Sequence, residues 1–77
     1  MYTAREIKEF KKKIPSGLSY EKIAEECESF VTKDIVKNFY GLRSTSDKAA
    51  IEIVKKTKVA IIKHNKKVEQ AQKLIAI

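Results

Sequence analysis

The side chains best suited to chemistry in this chain are few: one cysteine, Cys27, and one histidine, His64. A reactive thiolate needs a base or cation beside it, and a structural zinc site takes four Cys or His ligands. Cys27 falls on the apolar face of an expected helix and reads as a buried structural thiol. His64 stands among lysines in a long helix and reads as a packing or surface histidine. Glu21, Glu25, Glu26 and Glu28 cluster, but without paired aspartates at metal spacing they read as a solvated helix face. Two glycines, Gly17 and Gly41, cannot build a phosphate-cradling loop. No enzyme activity, cofactor, metal site or small-molecule ligand is therefore expected. What remains is a third expected helix whose polar residues Lys33, Asp34, Lys37 and Asn38 point away from its apolar side.

Four helices must position them. Seventy-seven residues suffice for one small domain, which buries only about 60% of its unfolded surface. Thr3 and Glu6 form a capping box, so the first helix is expected over residues 4–14, with Ile7, Phe10 and Ile14 as its apolar stripe. Lys11, Lys12 and Lys13 fall in its last turn, where cations suit the helix dipole. Pro15-Ser16-Gly17 stops it. Ser19 caps a second helix whose inner face is Tyr20, Ile23, Ala24 and Cys27. Thr32 caps a third, with Ile35, Val36 and Phe39 inward and Gly41 as a helix-ending glycine. A fourth starts near Ser46 or Asp47 and runs towards Ile75, on the order of 40 Å at ~1.5 Å per residue. Ala50, Val54, Thr57, Ile61, His64, Val68, Ala71 and Ile75 follow a 4-3 spacing in it, a heptad seam interrupted by Thr57 and His64. The expected fold is all-α, a bundle of four helices with a long last one. Residues 1–60 form the core domain and 61–77 an extension of the final helix. The expected core is Ile7, Phe10, Ile23, Ala24, Cys27, Val36, Phe39 and Val54. The late apolar positions Ile61, Val68, Ala71, Leu74 and Ile75 are expected to lack partners in the first three helices and to favour a homodimer.

The net charge of +7 points to a polyanionic partner. Its distribution is uneven. Residues 1–18 carry +3, residues 19–46 carry −1 and residues 47–77 carry +5. Apolar runs such as Val59-Ala-Ile-Ile62 are too short to span a bilayer, Met1 leads straight into a charged amphipathic segment, and the single cysteine excludes an internal disulfide. A cytoplasmic protein with no membrane partner is expected.

Residues 19–41 carry the strongest signal. Ala24 stands on the inner face of the second helix. Val31, Val36 and Phe39 then recur at five and eight positions, Thr32 opens the third helix and Gly41 closes it. This pattern resembles the helix–turn–helix of lambda-repressor-like and lac-repressor-like DNA-binding domains, and with its flanking helices the resemblance covers roughly residues 4–60. Two departures stand: counted from Ala24 the turn is two residues longer, and Glu28 and Ser29 occupy the place of the usual turn glycine.

The resemblance implies a sequence-specific DNA-binding protein, a small repressor-like transcriptional regulator whose third helix enters the major groove of double-stranded DNA. It implies base contacts from Thr32, Lys33, Asp34, Lys37 and Asn38. It implies backbone contacts from Ser19, Tyr20 and Lys22 at the start of the second helix, and from Arg43 and Ser44 after the third. The alternative is a small helical protein-interaction module that binds no nucleic acid.

Overall fold

The computed structural model describes the backbone of residues 2–76 and the side chains of residues 2–70. Four helices follow one another: α1 (Ala4–Lys12), α2 (Tyr20–Glu26), α3 (Lys33–Tyr40) and α4 (Asp47–Ala76). Each begins where a hydroxyl satisfies an otherwise unpaired backbone N–H. Thr3 Oγ1 accepts from the Glu6 N–H at 3.2 Å while Glu6 Oε1 accepts from the Thr3 N–H at 3.1 Å, completing the expected capping box. Ser19 accepts from Lys22, Thr32 from Ile35 and Ser46 from Ala49, at 3.2–3.3 Å. Tyr2 and Ile7 occupy the positions of a hydrophobic staple and wall one concavity together.

The core lies where α2, α3 and the first half of α4 converge. Ile23, Val36 and Ile53 are fully buried, and Phe39, Tyr40, Val31, Leu18, Ala49, Ala50, Val54 and Ala60 close around them. Of the expected core, Ile23, Val36, Phe39 and Val54 are buried, whereas Ile7, Phe10, Ala24 and Cys27 are half-buried and pack on its rim. The small residues Ala49, Ala50 and Ala60 let α4 approach the short helices closely. Rings lock the helices to one another. Tyr2 sits edge-on to Phe10 and Phe39, with centroids 5.5 and 6.2 Å apart, and so ties α1 to α3. Tyr20 stacks on Tyr40 at 5.6 Å and ties the start of α2 to the end of α3.

Thr57 is no flaw in the seam of α4. It is buried, and its hydroxyl donates to the Ile53 carbonyl one turn back at 2.6 Å. A hydroxyl has one proton. The 2.6 Å contact between Thr57 Oγ1 and the Tyr40 phenol is therefore a bond that Tyr40 donates. Both buried hydroxyls are satisfied in a short relay from α3 into the backbone of α4.

The second half of α4 departs from expectation at its start. Ile61 packs against the core rather than lacking a partner, because α4 lies along α2 for its first several turns. Lys63 reaches Glu26 of α2 at 2.7 Å. His64 is half-buried beside Gly17, where an added Cβ would lie 3.0 Å from the imidazole Cε1, so that loop approaches α4 closely and a larger residue there would displace the ring slightly. Beyond this point the helix projects. Val68 there is exposed, as is Ile62 just before it, while the side chains of Ala71, Leu74 and Ile75 fall outside the described residues.

The end of α3 also differs in detail. Gly41 is the C-cap, but its φ of −85° is ordinary, and the left-handed residue is Leu42, with φ 63°. Leu42 N–H donates to the Phe39 carbonyl and Arg43 N–H to the Asn38 carbonyl, the two bonds of a Schellman motif shifted one residue past the glycine. A leucine in that conformation costs roughly 1–2 kcal/mol.

Candidate nucleic-acid interface

α3 presents two faces. Val36, Phe39 and Tyr40 are buried, and Lys33, Asp34 and Lys37 are exposed, with Asn38 half-buried between them. Helical spacing alone produces this division, because the apolar residues recur at three and four positions. Thr32 sits at the exposed start of the helix, its oxygen occupied by the cap.

The structure groups the expected contact residues into neighbouring surfaces. Asp34, Lys37, Asn38 and Arg43 surround an open concavity of about 510 Å³ along the end of α3. The Schellman turn positions Arg43 there, since its N–H is bound to the Asn38 carbonyl at 2.9 Å. On the opposite flank, Lys33 joins Ser19 and Tyr20 around a second concavity of about 440 Å³. Its remaining wall comes from Lys11, Ile14, Pro15, Ser16 and Leu18. Ser44 belongs to a third concavity of about 270 Å³, with Arg43, Thr45 and the start of α1. Lys22 stands apart. It lies 3.6 Å from Glu25 and faces a concavity between α2 and α4, together with Glu26, Lys63, His64 and Lys67. Tyr20 has its ring committed to the stack on Tyr40.

This geometry accounts for the acidic balance of residues 19–46. Glu25 and Glu26 line the side of α2 turned to α4, where Lys63 and Lys67 oppose them. Lys33, Lys37 and Arg43 make no ion pair among the described residues. Glu25 and Glu26 thus lie towards the lysines of α4, while Lys33, Lys37 and Arg43 stand with Asp34 along and just beyond α3. Sequence reasoning assigned Lys11 only to the dipole of its own helix. The spacing within α1 carries no signal that Lys11 lines the same concavity as Lys33, since that depends on how α1 packs on α3.

The connection between α2 and α3 departs from the short glycine turn and needs no glycine. Cys27 is extended, the Val31 N–H donates to the Glu28 carbonyl at 2.9 Å, and no residue from 27 to 32 has positive φ. Glu52 of α4 accepts from the Glu28 N–H at 3.0 Å and pins the turn from behind. Phe30 packs under the Lys48 ammonium, 4.8 Å from the ring centre.

Burial first, and the Glu52 carboxylate second, push the Cys27 thiol up to about 11, which keeps it a protonated and unreactive thiol near neutral pH. Burial likewise raises the Tyr40 phenol to about 12. Among the described residues no three His, Cys, Asp or Glu side chains group as metal ligands, and no helix is long and apolar enough to cross a membrane. No protein-family model, curated protein or solved structure matches this chain, so the reading of the site rests on its own geometry.

Proposed function

We propose that this chain is a sequence-specific double-stranded-DNA-binding protein, a small repressor-like regulator of transcription acting in the cytoplasm without catalysis. α2 and α3 serve as its helix–turn–helix. The observation that carries the reading is the exposed face of α3, where Lys33, Asp34, Lys37 and Asn38 stand on a helix whose other face is fixed in the core. Lys33 and Lys37 suit guanine edges or phosphates, Asn38 suits adenine, and Asp34 accepts from cytosine. Arg43 and Ser44, beyond α3, suit the backbone of one strand, and Ser19 and Tyr20 that of the other. Repression in this reading is by occupancy of the site.

The exposed Val68, on the projecting part of α4, supports a homodimer through that helix. Two recognition helices about 34 Å apart then meet successive major-groove turns. A protein-interaction module without nucleic acid is the competing reading, favoured by Phe30 and Ile51, which are exposed at the turn and at the start of α4. Titration with duplex DNA at two salt concentrations separates the two, because only a phosphate-binding protein responds steeply to salt.

A further inference from the structure

We infer that Lys11 of α1 is a DNA-phosphate anchor, which together with Lys33 grips the sugar–phosphate backbone in the concavity between α1 and α3. This rests on the DNA-binding reading above and adds a residue from outside the helix–turn–helix. Three observations carry it. Lys11 and Lys33 wall the same open concavity although they belong to helices far apart in the chain. Neither makes an ion pair among the described residues, whereas the neighbouring Lys12 is engaged with Glu9 at 3.4 Å. The surface between them is apolar, built from Ile14, Pro15 and Leu18, with the hydroxyl of Ser16 beside it.

That combination fits a deoxyribose–phosphate strand better than a free anion. The sugar covers the apolar floor, and the two ammonium groups at the rim neutralise the phosphate. Occupation by DNA is also favoured by continuity, since Ser19 and Tyr20 line the same wall and lie beside the face of α3 that reads bases in this account. The position of Lys11 is fixed rather than fortuitous. Tyr2, edge-on to both Phe10 and Phe39, packs α1 on α3 and sets where its last turn lies. Lys22 makes the instructive contrast. It is a cation on α2 itself, but it is turned to Glu25 and the α4 side.

The test is fluorescence anisotropy of the full chain on a labelled duplex, with Lys11→Gln and Lys22→Gln compared with wild type from 50 to 300 mM salt. Loss of one phosphate contact removes about 0.9 from the slope of log affinity against log salt, equivalent to about eightfold weaker binding near 0.1 M. Lys11→Gln is expected to show that loss on every sequence alike, with Lys11→Arg restoring it and Lys22→Gln close to wild type. Lys11 is exposed, so an unchanged circular-dichroism melt is expected to confirm that the variant folds. If Lys11→Gln keeps the wild-type slope while Lys33→Gln and Lys37→Gln lower it, the anchor is wrong and the DNA reading stands. If the wild type binds no duplex at low salt, both fall.

Discussion

Thr57→Val tests whether the Tyr40–Thr57 relay fastens α3 to α4. Valine matches threonine in shape, so the substitution removes a hydroxyl and little volume. Tyr40 is 2% exposed, and its phenol then has no acceptor at the 2.6 Å position it now occupies. A buried donor left unpaired costs about 1–3 kcal/mol. Tyr40→Phe is the milder change, because Thr57 still donates to the Ile53 carbonyl and loses only what its lone pair accepts. About 0.5–1.5 kcal/mol is expected. The double variant removes both polar groups and is expected to cost less than the sum of the singles, with a coupling of about 1 kcal/mol or more. A domain of this length holds only about 4–12 kcal/mol in all, so each loss is a visible fraction. Urea unfolding followed by circular dichroism at 222 nm reads all four corners of the cycle, and thermal midpoints are expected to fall by about 4–8 °C per kcal/mol. Single losses that add within about 0.3 kcal/mol, or a Thr57→Val protein that unfolds with wild type, would refute the relay.

Two further outcomes follow from the same packing. The Tyr40 phenol is held at about 12 in the folded chain against about 10 unfolded; the folded state therefore holds that proton more tightly, its stabilisation is whole below pH 10, and about 2 kcal/mol is lost as pH climbs to 12. Wild type is expected to lose its lead over Tyr40→Phe across that window and to fall below it near pH 12, and urea midpoints that stay parallel would contradict the assignment. The projecting half of α4 is expected to pair two copies, so sedimentation equilibrium should give a dimer for the full chain and a monomer for a chain ending at Lys67; two monomers at high micromolar concentration would remove the pairing.

The four helices were legible because each start is a Ser or Thr and each inner face repeats at three and four positions. Thr3, Ser19, Thr32 and Ser46 all cap as their neighbours imply. Long-range relations were not legible. Nothing local marks Tyr40 as buried or Thr57 as its acceptor; a threonine in an apolar seam looks like a defect until a phenol from another helix is placed against it. Leu42 takes the left-handed turn beside a glycine able to do so, a choice set by how α3 hands the chain to Ser46 rather than by propensity. For the candidate site, helical spacing alone grouped Lys33, Asp34, Lys37 and Asn38. The charge sum of residues 19–46 could not show that Glu25 and Glu26 turn towards the lysines of α4.

Binding of duplex DNA by the α3 face is read out by its dependence on salt. With Lys11, Lys33, Lys37 and Arg43 each displacing one counterion, the slope of log affinity against log salt is about −3.6 per protomer, or roughly a 150-fold loss between 50 and 200 mM salt. A slope near that value on random duplex supports the account. A flat response, or no binding at 50 mM, would contradict it and leave the protein-interaction module in its place.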